Sequence, residues 1–149
     1  MKGLAFTTVV WIISTSFIMR DEYLDPTGTY ILDQKTKKVG EEIYGYFGEI
    51  QVVKLKEDKI LMNFSICKGA PSYNSGSFLD TLSYQNNRAL FTDPSTDSSC
   101  VITFDFTVKG ITVKEDTDDY NFGCGFGHAV IADGFFKKTS SKKPEIPVE

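Results

Sequence analysis

The sequence predicts an all-β fold: a single antiparallel meander of about eight strands closing into a small lipocalin-like barrel, with a β-sandwich as the alternative. Three observations carry this reading. Aromatics are abundant, with 12 Phe and 7 Tyr among 149 residues, and with the many Val, Ile and Thr they suit a pleated sheet. No segment shows a helical apolar period, whereas several alternate with period two. Turn residues recur at short intervals, as consecutive hairpins require, and closing such a meander removes its open edges.

The length suits one domain, placed over residues 25–138, which is long enough to bury a core. Ahead of it, Lys2 precedes an uncharged run from Leu4 to Met19, followed by Arg20-Asp21-Glu22. A basic start, a short apolar run and a polar exit describe a secretory signal peptide over residues 1–20. The run is shorter than the roughly 20 residues of a spanning helix, so no membrane span is expected after cleavage. Residues 139–149 form a Ser/Lys/Pro tail without core-forming side chains. The expected location is therefore secreted or periplasmic. The net charge of −4 lacks the basic stripe of a nucleic-acid binder.

The elements follow in order. Asp25-Pro26-Thr27-Gly28 is a turn and Thr29–Leu32 the first strand. Asp33–Glu42 is polar and reads as a loop or a poorly paired extension. Ile43–Phe47 begins the second strand, Glu49–Leu55 continues the β pattern, and Lys56–Lys59 turns it. In Ile60–Cys67, Ile60, Met62, Phe64 and Ile66 share one face and Cys67 lies on the other. Lys68–Ser75 is a loop. Ser77–Tyr84 places Phe78, Leu82 and Tyr84 in phase, with Asp80 on that same face. Asn86-Asn87 turns into Ala89–Thr92, and Asp93–Ser99 is a loop. Cys100–Glu115 is a hairpin turned at Lys109-Gly110, with Gly supplying a positive φ; that register sets Val108 opposite Ile111 and Phe106 opposite Val113. Asp116–Gly125 is a loop and Asp133–Lys138 the closing strand. Gly28-Thr29-Tyr30 and Gly134-Phe135-Phe136 are alike, and would pair first strand with last if the barrel closes.

Three cysteines, Cys67, Cys100 and Cys124, in an exported chain imply one bridge and one leftover thiol, or intermolecular pairing. The hairpin register puts Cys100 opposite Asp119, and the following loop can bring Cys124 back beside it. The expected bridge is Cys100–Cys124, with Cys67 free; three reduced thiols is the alternative.

Catalytic machinery is not apparent. His128 is the single histidine, no G-x-S-x-G elbow is present, and Cys124 and His128 in a glycine-rich segment fix no geometry. No zinc spacing occurs. The acidic run Glu115–Asp119 departs from an EF-hand and reads as a solvated loop. The alternating Gly123, Gly125 and Gly127 lack the helix and Lys-Ser/Thr of a phosphate loop, and suit a bulge or close backbone approach. No metal or cofactor is implied. Pro71-Ser72-Tyr73-Asn74-Ser75-Gly76 has the Tyr/Ser/Asn/Gly composition of binding loops.

The phrase Cys124-Gly125-Phe126-Gly127 followed by Ala132-Asp133-Gly134-Phe135-Phe136-Lys137-Lys138, after a strand like Cys100-Val101-Ile102-Thr103-Phe104, resembles the end of a group of small exported bacterial all-β proteins. The turn Asn74-Ser75-Gly76 is similar too. Some members of that group appear beside proteins labelled lysozyme-inhibitor-like, which implies an envelope role and transfers no site. The expected function is an exported non-enzymatic binding protein, in the class of inhibitors of a periplasmic or secreted hydrolase. Its contacts would come from Ser72, Tyr73, Asn74, Phe126 and His128, with a secreted or envelope protein as partner. The alternatives are a lipocalin-like carrier of a small apolar ligand, which a core filled by Phe64, Phe78, Phe104 and Phe106 would rule out, and a carboxylate-based hydrolase using Asp80 and Asp105.

Overall fold

A computed structural model describes residues 23–146. The expected signal peptide lies outside the described residues, as do the last three residues of the tail. The strands are β1 (Gly28–Leu32), β2 (Lys37–Val39), β3 (Glu42–Lys54), β4 (Lys59–Gly69), β5 (Ser75–Gln85), β6 (Arg88–Asp93), β7 (Asp97–Thr107), β8 (Gly110–Asp116) and β9 (Gly134–Ser140). Among the described residues the one helical element is a 3₁₀ turn, Gly123–Gly125, and no helix is long and apolar enough to cross a membrane.

All pairings are antiparallel and run in sequence from β3 to β9. The ring closes because β1 pairs with β9 on one side and with β3 on the other. The result is an eight-stranded closed barrel with β2 outside it, paired to the first residues of β3. The glycine-aromatic likeness of the first and last strands does mark the closure: Leu32 lies opposite Phe136. The polar stretch expected as a loop or weak extension contains β2, and β9 runs through Thr139 and Ser140, two positions into the expected tail.

The inward phase of each strand forms one core. Ile60, Met62, Phe64 and Ile66 of β4 are fully buried, as their alternation predicts. Phe64 is the hub: its ring meets those of Phe78, Phe104, Phe126 and Phe136 at centroid distances of 5.2, 5.9, 6.0 and 5.9 Å. Tyr84 and Tyr30 meet Phe106 edge-on nearer the other end, where the Tyr84 hydroxyl donates to the Leu24 carbonyl at 3.1 Å.

The β7–β8 hairpin corrects the expected register. Thr107 pairs with Gly110, Phe106 with Ile111 and Phe104 with Val113. The turn is Val108-Lys109, and Val108 is 75% exposed rather than on the apolar face. The Thr107 hydroxyl organises this turn, accepting from the Lys109 and Gly110 amides. Gly110 has no left-handed φ; it is glycine because β9 crosses so closely that a Cβ there would lie 2.2 Å from the Phe136 carbonyl oxygen. The ladder ends at Val101↔Asp116, so Cys100 does not face Asp119.

Candidate functional site

The disulfide joins Cys100 and Cys124, as the sequence predicts, with the Cα atoms 5.1 Å apart, and Cys67 is a half-buried free thiol on the outer wall. With Cys124 in a disulfide, no thiolate stands beside His128, which removes that nucleophile. Cys124 reaches Cys100 through the 3₁₀ turn rather than through the hairpin register.

One carboxylate fixes this turn. Asp97 Oδ2 accepts from the Cys124 amide at 3.1 Å and from the Thr117 hydroxyl at 2.8 Å, while Oδ1 accepts from the Ser99 amide and hydroxyl. These donors, the Ser99 and Thr117 hydroxyls foremost, hold its pKa far below the ordinary carboxylate range. The acidic run is not a uniformly solvated loop. Glu115 continues the inward phase of Ile111 and Val113 and is only 7% exposed. Its Oε2 accepts from the Ala132 amide at 2.7 Å, and Oε1 has no partner among the described residues. Burial raises its pKa, and the Ala132 bond opposes that only in part. The Asp133 carboxylate takes the Glu115 amide and the Lys114 ammonium. Among the described residues no group of three or more His, Cys, Asp or Glu side chains is arranged to hold a metal.

The two loops read as contact surfaces are brought together. The Gly127 amide donates to the Ser75 carbonyl at 2.9 Å. Asn74 Nδ2 and Lys68 Nζ both donate to the His128 carbonyl, at 3.0 and 3.5 Å. The Tyr73 hydroxyl accepts from the Ile43 amide at 3.0 Å, and the Tyr46 hydroxyl donates to the Ala129 carbonyl at 2.9 Å. Ser72, Tyr73, Asn74 and His128 therefore share one end of the barrel. Tyr73 is 41% exposed and Phe122 is 62% exposed, and the Phe122 and His128 rings meet edge-on at 5.2 Å.

Phe126 is different. The sequence places it among the contact residues, but it is buried, stacked on Phe64, and lies over Gly76, where a Cβ would come 2.3 Å from its Cγ. It plugs the barrel end and supports the rim from beneath. Phe122 is the rim residue that sequence reasoning passes over. Its signal is an aromatic in a polar, glycine-bounded loop that belongs to no strand pattern.

Asp80 and Asp105, the in-strand acids, line one open cleft on the outer wall between β5 and β6. Asp105 is held in an ion pair by Arg88. Comparison with protein-family models, curated proteins and solved structures finds no match for the chain.

Proposed function

We propose that this chain is an exported, non-enzymatic binding protein. In this reading it presents the rim formed by Ser72–Asn74, Phe122 and His128 to a secreted or envelope protein, with a hydrolase as the target class. The observation that carries the reading is the joining of two loops into one rim. The Gly127–Ser75 and Asn74–His128 hydrogen bonds and the neighbouring Cys100–Cys124 bridge hold exposed aromatic groups in place before any partner arrives. Rigid aromatic anchors of this kind give contact area at low ordering cost. A carrier would need an interior cavity, and the rings of Phe78, Phe104, Phe126 and Phe136 gathered on Phe64 speak against one.

The test is inhibition of, and complex formation with, a panel of secreted hydrolases that includes muramidases. Alanine at Tyr73, Phe122 and His128, each in the oxidised chain, is expected to weaken the complex about 5- to 30-fold for the central residues. A complex unaffected by all three substitutions would place the contact elsewhere and sink this site.

A further inference from the structure

The barrel wall has a seam between β5 and β6. Their ladder consists of Gln85↔Arg88 and Tyr84↔Ala89 alone, although β5 continues upward to Ser75 and β6 to Asp93. Above the ladder the strands are bridged on the inside by the Phe78 and Phe91 rings, stacked with centroids 3.9 Å apart. Along the seam, lined by Asp80, Thr81, Leu82, Leu90 and Thr92, lies an open cleft of about 680 Å³, within the size range of ligand sites.

The backbone phase identifies what faces the gap. The Lys68 amide bonds the Asn74 carbonyl and the Tyr84 amide bonds the Asp58 carbonyl, and both fit the β4–β5 register of Phe64↔Phe78. Hydrogen-bonded pairs alternate in an antiparallel ladder, so Gly76, Phe78, Asp80 and Leu82 bond to β4. Leu79 and Thr81 turn their amides and carbonyls toward β6. The Phe106 amide bonds the Asn87 carbonyl, which by the same alternation turns Leu90 of β6 toward β5; beyond Phe91 the β6–β7 register shifts. Leu79 and Leu90 have no ladder partner across the gap among the described residues.

Asp80 sits in this gap. It has the inward phase of Leu82 and Tyr84 yet is exposed, because the wall opens beside it. Its Oδ1 accepts from the Thr81 amide at 2.6 Å, in the position a strand partner would take. Of the charged groups lining the cleft, Arg88 and Asp105 neutralise each other. Among the described residues the Asp80 carboxylate has no cation partner.

We propose that the seam binds an extended basic peptide, which adds as a strand alongside β5 and sets a Lys or Arg against Asp80. The Leu79 amide and carbonyl, turned toward β6 with no ladder partner there among the described residues, supply main-chain recognition, the mode by which sheet edges take up peptides. Asp80 supplies the charge selection, since opposite charges across a strand pair attract and like charges repel. This surface lies on the wall and is separate from the Tyr73–His128 rim, so the two stand or fall independently.

The probes are a blocked hexapeptide of alternating Val and Lys, its Val/Glu counterpart, and the Val/Lys peptide with alternate N-methyl groups. Binding to the oxidised chain is followed by calorimetry, by backbone amide shifts and by hydrogen exchange. The Val/Lys peptide is expected to bind saturably, to shift Leu79–Ser83 and Leu90–Thr92, and to slow exchange at Leu79. The Glu and N-methyl peptides are expected to bind at least about fivefold more weakly, and Asp80→Lys to invert the charge preference. Leu79→Pro should abolish binding without touching a β4 bond, because Leu79 and Asn63 form a non-hydrogen-bonded pair. If that variant does not fold, the Asp80→Lys inversion and the N-methyl peptide decide the matter. Absence of saturable binding, shifts confined to Tyr73, Phe122 and His128, or a charge preference indifferent to Asp80 would overturn the proposal. So would a Leu79 amide already protected without peptide, which would mean that another part of the chain or a second copy fills the seam.

Discussion

Phe126→Ala separates a core role from a contact role at the residue where sequence and structure differ most. The ring is 6% exposed, stacks on Phe64 and rests on Gly76. Truncation removes the transfer free energy of the ring and leaves a void. Gly76 has no side chain to move into that void, and Phe64 is fixed by its other ring contacts. Buried Phe→Ala changes cost about 3–5 kcal/mol, and the poor scope for collapse here points to the upper half of that range. With a urea m value of about 1.5 kcal/mol/M, the midpoint should fall by roughly 3 M. The assay is urea unfolding of the oxidised chain followed by Trp-independent far-UV signal, with Phe126→Leu as a control expected to cost about 1–2 kcal/mol. A midpoint shift below about 0.5 M for Phe126→Ala, less than 1 kcal/mol, would refute the plug and return Phe126 to the surface.

Replacing both Cys100 and Cys124 by Ala reopens a loop with a sequence separation of 24 and should cost about 3 kcal/mol in the chain-entropy model, read as a lower midpoint. Amide exchange at Gly127 and Ala129 should accelerate in the same variant, because those amides anchor the rim loop. Gly110→Ala places a Cβ against the Phe136 carbonyl and should cost about 1–3 kcal/mol; an unchanged midpoint would mean that β9 lies farther away. Glu115→Gln keeps an acceptor for the Ala132 amide and removes a buried charge. Because the folded pKa of Glu115 is raised above its unfolded value of about 4.5, the wild-type chain loses stability as pH rises from there through the folded pKa. The variant should lack that loss and be more stable than the wild type at neutral pH. Asp97 acts in the opposite sense: its depressed pKa stabilises the fold above about pH 3.8, and that contribution fades as pH falls below it. Asp97→Asn should therefore flatten the acid limb of the stability profile.

Where period-two alternation is strong, the fold was legible from the residues alone. Ile60 to Ile66 is the plainest case, and the glycine-aromatic likeness of β1 and β9 located the closure. The β7–β8 turn was misplaced by two residues in pairing because Lys109-Gly110 has a familiar hairpin form. What sets the turn is the Thr107 hydroxyl bonding two amides, and what demands glycine is the approach of β9. Neither is a local property of the sequence. The disulfide was legible from the expected export and the cysteine count, although the hairpin register does not set Cys100 opposite Asp119. Phe126 was not legible, since Gly-Phe-Gly has no alternation and its seat is the empty side of Gly76 on a distant strand. Glu115 could have been read as buried, because it follows Ile111 and Val113 at intervals of two. The seam left one trace, a carboxylate at Asp80 on an otherwise apolar phase.

The rigid rim and the open seam have a common origin in β5. Its first residues serve the rim: the Ser75 carbonyl takes the Gly127 amide, and Gly76 receives the Phe126 ring. Its last residues serve the opposite end, where Tyr84 contacts Leu24 and Tyr23 and Gln85 pairs with Arg88. β6 has only six residues and is bound along β7, so it meets β5 near the turn and separates from it above. The Phe78–Phe91 stack closes the interior where the ladder does not, which lets the wall open without exposing the core. An edge left open in this way invites pairing with another strand, and a charge placed in it restricts which strands are accepted. Asp80 therefore serves in both states of the seam, as a guard when it is empty and as a selector when it is filled. Removing its charge should broaden what the seam takes up rather than abolish uptake, and Asp80→Asn should bind the Val/Lys and Val/Glu peptides with equal affinity.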